Sequence, residues 1–307
     1  MRRGLHVFYA VAVAATSATG LAGQSREPAD LVNQARKLNN EGKQDDALAL
    51  YRQALARSPE SFDAHYGAGI VLDLKGAFAE ARREFARAIE VASADDKVQA
   101  LTGMAVSFAF TGDAANCARF YQQIFDSQTA AGEFAGAAET ANALGRVYLE
   151  NGDLRNAVKW YQTGHETVRR QPDVPGPQLD LADLRWAHAQ ARIAARRGDA
   201  AEARRQIAVV QMLIDKGTNA EQTLQLPYLV GYVDLYLKNY KAAIAELQRA
   251  DQTDPFILVL LGQAYEKARQ RANAREAYQS VLMLNGHSLN NAFARPIARR
   301  KLGQKIE

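Results

Sequence analysis

The chain has 307 residues, and 48% of them are hydrophobic, which is enough to build a sizeable buried core. Its formal net charge of +4 is small, and no aromatic and basic motif accompanies it, so we do not expect nucleic-acid binding. The single cysteine, Cys117, excludes an intramolecular disulfide.

Residues 1–23 have the pattern of a secretory signal peptide. Arginines at positions 2 and 3 precede an apolar run over residues 5–15, and small, weakly polar residues follow up to position 23. We expect cleavage near Ala22 or Gly23 and export to the periplasm or the extracellular space. The alternative is a retained membrane anchor, although the apolar run is shorter than the ~20 residues that a spanning helix needs.

From residue 28 onwards the predicted secondary structure is helical, because small and apolar residues recur at three- and four-residue steps. The stretch 142–164 shows this most clearly. Gly145 and Tyr148 come before an Asn-Gly-Asp turn at 151–153, and Ala157 and Tyr161 come after it. The spacing predicts two antiparallel helices packed at close range. One such hairpin cannot bury both of its faces, so we expect copies on either side.

Copies of the second helix recur along the chain, each with a small residue and a large residue one turn later. The small positions are Ala47, Ala81, Cys117, Ala157, Ala203, Ala243 and Ala274, and the large ones are Tyr51, Phe85, Tyr121, Tyr161, Ile207, Leu247 and Tyr278. The turn glycines of the first five copies are Gly42, Gly76, Gly112, Gly152 and Gly198. The sixth copy turns at 238–240, where we expect Asn239 to take the left-handed conformation, and the seventh turns at 269–271.

Together these residues resemble the tetratricopeptide repeat, whose period is about 34 residues. The resemblance covers roughly residues 28–285. It implies an all-α fold, a right-handed α-solenoid of about seven helix hairpins with a C-terminal capping helix. It also implies a function, which is to bind a segment of another protein in the concave groove of the solenoid.

The repeat spacing and one proline-rich stretch predict the domain organisation. We place repeats one to four in residues 24–170 and repeats five to seven in residues 179–289. Residues 171–178 hold three of the eight prolines and predict an irregular connection, which is either a hinge or a longer surface loop. Residues 290–307 predict the capping helix, whose basic residues form a solvated face or attract an anionic surface.

No stretch of the sequence has a catalytic, cofactor or metal motif. The histidines beyond the signal segment are scattered, and no two are spaced to bind one metal from a helix face. We therefore expect a non-enzymatic protein without cofactors. Two functions remain open. One is a binding scaffold in the periplasm or cell envelope, and the other is a structural or assembly component of the envelope that acts by self-association.

The resemblance also implies where a partner binds, because first helices of successive repeats line the concave groove in this family. The family's clamp for C-terminal carboxylates draws Lys, Asn and Arg from three consecutive first helices, and repeats one to three do not reproduce it. Later first helices carry a different polar group at helical spacing, consisting of Asn142, Arg146, Arg185, His188, Arg192, Arg196, Tyr228, Tyr232 and Tyr236.

We predict that this group binds an acidic or C-terminal peptide through charge-assisted hydrogen bonds, with the tyrosines supplying apolar contact. The alternative is that the arginines form a solvated face, paired with Glu139, Glu150 and Asp199, and that the tyrosines pack between repeats.

Overall fold

The computed structural model describes residues 27–304, and the regular structure in that range is helical throughout. The predicted signal peptide lies outside the described residues. The α-helices are Pro28–Asn40 (α1), Gln44–Arg57 (α2), Phe62–Lys75 (α3), Phe78–Val91 (α4), Lys97–Phe110 (α5), Ala114–Ala130 (α6), Phe134–Glu150 (α7), Leu154–Thr167 (α8), Gly176–Arg197 (α9), Ala200–Asp215 (α10), Gln225–Tyr236 (α11), Tyr240–Arg249 (α12), Pro255–Lys267 (α13), Arg271–Met283 (α14) and Leu289–Lys301 (α15). The first fourteen form seven consecutive pairs, which confirms the predicted solenoid of helix hairpins.

Left-handed residues end the first helices of the repeats. Gly76 has a φ of 98°, and its N–H donates to the carbonyl of Leu72, a geometry that a Cβ would strain. In the sixth repeat the prediction for Asn239 is wrong. Lys238 takes the left-handed conformation with a φ of 67°, while Asn239 has a φ of −85°. Asn239 instead donates from its side chain to Asp234, which fixes it as the residue before α12.

Glycines face aromatic rings where the two helices of a repeat cross. A Cβ at Gly145 of α7 would lie 2.7 Å from Cγ of Tyr161 on α8. A Cβ at Gly262 of α13 would likewise lie 2.5 Å from Cε1 of Tyr278 on α14. Both tyrosines are buried. The absence of a side chain on one helix thus lets the other helix bury a whole ring in the gap between them.

The irregular connection predicted for residues 171–178 is shorter in the structure. α9 begins at Gly176, inside the predicted connection over 171–178, because Pro177 fits the first turn of a helix, where its missing N–H is not needed. The irregular connection is therefore limited to residues 171–175. Two further segments exceed the length of a 34-residue repeat. Residues around 127–135 lengthen α6 and α7, whereas those around 216–223 form a loop and the 3-10 helix Ala220–Leu224. A second 3-10 helix, Val168–Arg170, follows α8 directly.

The last helix, α15, packs on α13 and α14 as a cap and also packs against α5 of the third repeat. Two of its basic residues belong neither to a solvated face nor to a surface that attracts anions, the two alternatives given above. Arg295 is buried and donates to the carbonyls of Leu282 and Leu284. Arg299 donates to the carbonyl of Leu74 at the end of α3. These arginines supply hydrogen bonds that backbone carbonyls lack where helices end.

We expect Gly145→Ala to lower the free energy of unfolding by about 1–3 kcal/mol, because the new Cβ overlaps the Tyr161 ring and forces the two helices apart. Urea or thermal unfolding measures the loss. Gly176→Ala is the matched control, since a Cβ there has no neighbour within 4 Å. Equal stability of the two variants would contradict the close packing of α7 on α8.

Candidate functional site

A cavity of about 330 Å³ opens on the inner face of the solenoid, between the first helices of the fourth, fifth and sixth repeats. Helices α7, α9 and α11 provide most of its lining, and the start of α15 completes it. The lining residues are Asn142, Ala143, Arg146, Tyr161, Leu184, Arg185, His188, Arg192, Gln222, Gln225, Tyr228, Leu289 and Asn290. We call this cavity the arginine pocket.

Two arginines of the pocket hold buried nitrogens without hydrogen-bond acceptors. Nε and Nη2 of Arg146, and Nε and Nη1 of Arg192, have no partner among residues 27–304. Unlike Arg185 and Arg196, neither of these arginines forms an ion pair with a carboxylate in the described chain. Buried N–H groups without acceptors are unfavourable, so the arrangement is suited to an incoming anion.

Aromatic rings and one hydroxyl hold the two guanidinium groups in place. The Cζ atom of Arg146 lies 4.5 Å from the centroid of the Phe256 ring, which belongs to α13. Nη2 of Arg192 donates to the hydroxyl of Tyr161 over 2.9 Å. Contact with a ring face occupies the face of a guanidinium and leaves its in-plane N–H groups available for an anion.

His188 and Tyr228 add neutral polar groups to the same pocket. Nε2 of His188 and the hydroxyl of Tyr228 are buried and lack hydrogen-bond partners in the described chain. Burial, followed by the charges of Arg192 and Arg146, holds the pKa of His188 well below its ordinary value. The imidazole is therefore neutral at neutral pH and can donate to an anion without adding a third positive charge.

Asp254 is a buried carboxylate near Arg146, but its oxygens are already engaged. Nδ2 of Asn290 donates to Oδ2 over 2.5 Å, and the backbone N–H of Phe256 donates to Oδ1 over 2.7 Å. Burial raises the pKa of Asp254, and the positive charge of Arg146 opposes that shift. The carboxylate thus caps α13 and holds the start of α15 at the edge of the pocket.

The predicted basic and aromatic group divides into two sets. Those that line the pocket are Asn142, Arg146, Arg185, His188, Arg192 and Tyr228, and those outside its lining are Arg196, Tyr232 and Tyr236. Arg196 pairs with Glu150 and donates to the hydroxyl of Tyr232, which is fully buried between repeats. Arg185 lies 3.4 Å from Glu139. For Arg185 and Arg196 the structure therefore has the ion-paired arrangement, whereas Asp199 caps α10 and pairs with neither arginine.

Seven pocket residues were missed by reasoning from the sequence, namely Ala143, Tyr161, Leu184, Gln222, Gln225, Leu289 and Asn290. Tyr161 had been placed among the large residues of second helices, a position that indicates packing only. Leu289 and Asn290 come from the end of the chain, and no local pattern links them to α7. The contact of α15 with α5 brings them there, and only the tertiary structure reveals it.

Other reactive groups are absent from the pocket. Cys117 is fully buried, and burial raises the pKa of its thiol to about 12, so it packs as Ala does in other repeats. Across residues 27–304, no three side chains of His, Cys, Asp or Glu are grouped so that they could hold a metal ion.

The comparison with family models agrees with the repeat pattern. A model described as tetratricopeptide repeat matches residues 33–97, and a second model of the same description matches residues 138–164 and 257–287. No curated protein matches the chain significantly.

Solved structures with a similar fold include three that cover most of the chain. A tetratricopeptide repeat protein from Parabacteroides merdae is 12% identical, with a TM-score of 0.51 over 90% of this chain and 98% of its own. The apo form of RapI is 12% identical, with a TM-score of 0.55 over the same shares, 90% and 98%. Aspartyl phosphate phosphatase F from Bacillus subtilis is 10% identical, with a TM-score of 0.59 over 81% of this chain and 67% of its own. At these identities the similarity concerns the fold alone.

We expect stability to fall more steeply on acidification in the unmodified protein than in His188→Gln. Below pH ~6.5 the unfolded chain protonates this histidine, whereas the folded protein, with its lowered pKa, does not. The unfavourable difference amounts to at most about 1.4 kcal/mol per pH unit down to the folded pKa. Urea unfolding at a series of pH values from 7.5 to 5 measures both slopes. Parallel curves for the two proteins would show that His188 is not held neutral.

Proposed function

We propose that this chain, which belongs to the tetratricopeptide repeat family, binds a segment of another protein on its inner face and catalyses no reaction. The observation that carries the proposal is the pair of guanidinium groups in the arginine pocket whose buried nitrogens lack hydrogen-bond acceptors in the described chain. This pair supports a carboxylate as the group that is bound. An acidic side chain or the C-terminal end of the partner would supply it.

A bound carboxylate would supply hydrogen bonds to Arg146 and Arg192. Hydrogen bonds between a guanidinium and a carboxylate are roughly twice as strong as those between neutral groups. In the free protein the buried N–H groups of both arginines lack protein acceptors, which is unfavourable. A bound carboxylate restores their hydrogen bonds, so part of the binding free energy comes from relieving this unfavourable state.

The remaining groups of the arginine pocket suit a peptide. Asn142 and Gln225 present side-chain amides, which donate and accept hydrogen bonds as a peptide backbone requires. Leu184 and Leu289 add apolar surface beside them. The volume of about 330 Å³ lies near the lower end of the ~300–1,000 Å³ typical of ligand pockets, which favours the end of a segment over a folded domain.

We also propose that the protein acts in the periplasm or cell envelope. The support is the sequence pattern of residues 1–23, in which basic residues, an apolar run and small residues follow one another. In the part of the chain that the structure describes, the helices lack the combination of length and hydrophobicity needed to span a membrane.

The mass of the protein recovered from an expressing diderm host checks the proposed export. We expect a periplasmic chain that begins near position 23 or 24. Its control is a variant with both basic residues of the signal segment reversed, Arg2→Glu and Arg3→Glu, which should be exported less efficiently. A full-length chain in the membrane fraction would contradict export with cleavage and make residues 1–23 a retained anchor.

Selection from a random peptide library displayed with free C termini tests the pocket. We expect the unmodified protein to enrich peptides with acidic residues or a required free carboxyl group at the end. Arg146→Gln and Arg192→Met should each weaken binding of the enriched peptides by about 10- to 100-fold, because hydrogen bonds to charged groups contribute ~1.5–3 kcal/mol. Their melting temperatures should stay equal or rise, since each change removes buried N–H groups that lack acceptors.

Arg87→Gln is the control for this experiment. It removes an arginine of α4 that pairs with Glu60 and Glu90 far from the pocket, and it should bind as the unmodified protein does. Undiminished affinity in both pocket variants would contradict the proposed site. Large homo-assemblies that bind no peptide would instead support the assembly function.

A further inference from the structure

Residues 284–302 connect the last repeat to the first three repeats across the inner face of the solenoid. On one side, α15 packs against α13 and α14. On the other side the segment contacts α2, α3 and α5, through Asn285, His287 and Arg299 together with the packing of α15 on α5. We call this second set of interactions the closure contact. It joins parts of the chain as far apart as the 241 positions between Gln44 and Asn285.

His287 lies at the centre of the closure contact. Its Nε2 is 2.8 Å from Oδ2 of Asp73, and its ring centroid lies 5.3 Å from that of Phe85 and 5.6 Å from that of Phe110. The side chains of His287 and Asp73 are 3% and 0% exposed. The hydroxyl of Ser107 donates to the other oxygen of Asp73 over 2.9 Å. Side chains of the second and third repeats therefore surround this imidazole with one polar contact and two ring contacts, as they could surround a side chain of a bound peptide.

Side chains of α15 fix the backbone of residues 284–288, the stretch that precedes this helix, in the conformation that the closure contact requires. Nδ2 of Asn291 donates to the carbonyls of Leu284 over 3.0 Å and of Gly286 over 2.8 Å. Arg295 donates to the carbonyl of Leu284 as well, over 3.1 Å. The stretch, α15 and the last repeat are thus one packed unit, and that unit meets the first three repeats at the closure contact.

Much of the closure contact is polar, so water can replace its interactions when the two sides separate. Nε2 of Gln44 donates to Oδ1 of Asn285 over 2.8 Å, and Nη2 of Arg299 donates to the carbonyl of Leu74 over 2.8 Å. Ala292, Leu289 and Phe293 of α15 add apolar packing against a core cluster that includes Leu74 and Phe110. The closure contact thus combines apolar packing with hydrogen bonds, as interfaces between domains of one chain do.

The arginine pocket lies beside the closure contact and has the start of α15 as one of its walls. Arg146 belongs to α7, whereas Leu289 and Asn290 belong to α15. The ring of Phe293 on α15 lies 6.0 Å from Cζ of Arg146. Movement of α15 away from α5 would therefore widen the pocket and remove Leu289 and Asn290 from its lining.

We propose that the solenoid has a closed and an open form, which differ in the closure contact, and that a ligand in the arginine pocket favours the closed form. The open form uncovers the inner face of the first three repeats and separates the two walls of the pocket. A ligand that touches both walls binds the closed form more tightly and shifts the population towards it. This coupling rests on the proposed function of the pocket, whereas the existence of two forms does not.

Distances between two spin labels measure the opening in the full-length chain. Asp46→Cys and Met283→Cys provide exposed attachment sites near the closure contact, and Cys117→Ala removes the native thiol by using the residue that other repeats have there. We expect one short distance when the closure contact is unmodified. Asp73→Asn and Arg299→Gln should each add a population at longer distance, and Arg87→Gln should add none.

Arg299 is half-buried, so Arg299→Gln keeps the experiment decisive if Asp73→Asn does not fold. If folded Arg299→Gln gives the same single short distance as the labelled protein with an unmodified closure contact, the proposal of two forms is wrong.

Succinate is the probe for coupling to the pocket. In labelled Arg299→Gln, we expect millimolar succinate to reduce the longer-distance population at least twofold, whereas sodium chloride at equal ionic strength should not. Adding Arg146→Gln should abolish the response. A longer-distance population that does not change when succinate is added would contradict the coupling. The peptide selection tests binding in the arginine pocket independently of the distances. A pocket that binds peptides but does not affect the closure contact can therefore be distinguished from a pocket that binds no peptide.

Discussion

Close approach of paired helices, at positions with almost no side chain, is the constraint on which the rest of this structure depends. Gly145 leaves room for the ring of Tyr161 between α7 and α8. The hydroxyl of Tyr161 accepts a hydrogen bond from Arg192. The packing of one repeat therefore fixes a guanidinium that belongs to the next repeat. Gly69 and Gly262 make the same kind of contact with Phe85 and Tyr278 in the second and seventh repeats. Stacking of the repeats makes the first helices a continuous inner face on which polar groups are held at defined positions.

The inner face is also where the chain departs from a simple stack of repeats. An open solenoid would leave this face to solvent, whereas here α15 covers part of it and brings His287 to Asp73. The pocket remains beside this covered region, and Asn290 forms part of its edge. Binding and closure thus share one surface, which is the reason that a ligand in the pocket and the position of α15 are expected to influence each other.

The sequence predicts those features that depend on neighbours within about one repeat. The helix pairs, the left-handed glycines such as Gly76 and the helical spacing of Arg146 with Asn142 belong to this class. The left-handed Lys238 does not, because the short connection imposes its geometry on a residue that does not prefer it.

The candidate site was only partly predictable for a related reason. Spacing places Arg192 and Arg196 on one helix face, but it cannot tell which of them meets a carboxylate. That depends on Glu150, which lies in the preceding repeat and reaches Arg196. The contributions of α15 were beyond prediction, because a contact between residues 214 positions apart leaves no local pattern in the sequence.

The central claim is that Arg146 and Arg192 hold buried N–H groups, without acceptors in the described chain, that bind a carboxylate. Nuclear magnetic resonance of the arginine Nε–H groups during a titration with succinate tests it most directly, with Arg146→Gln and Arg192→Met identifying the two signals. The account predicts that both signals move downfield and saturate together, while the signal of Arg87 stays in place. Signals of Arg146 and Arg192 that do not move, or that move no more than that of Arg87, would contradict it.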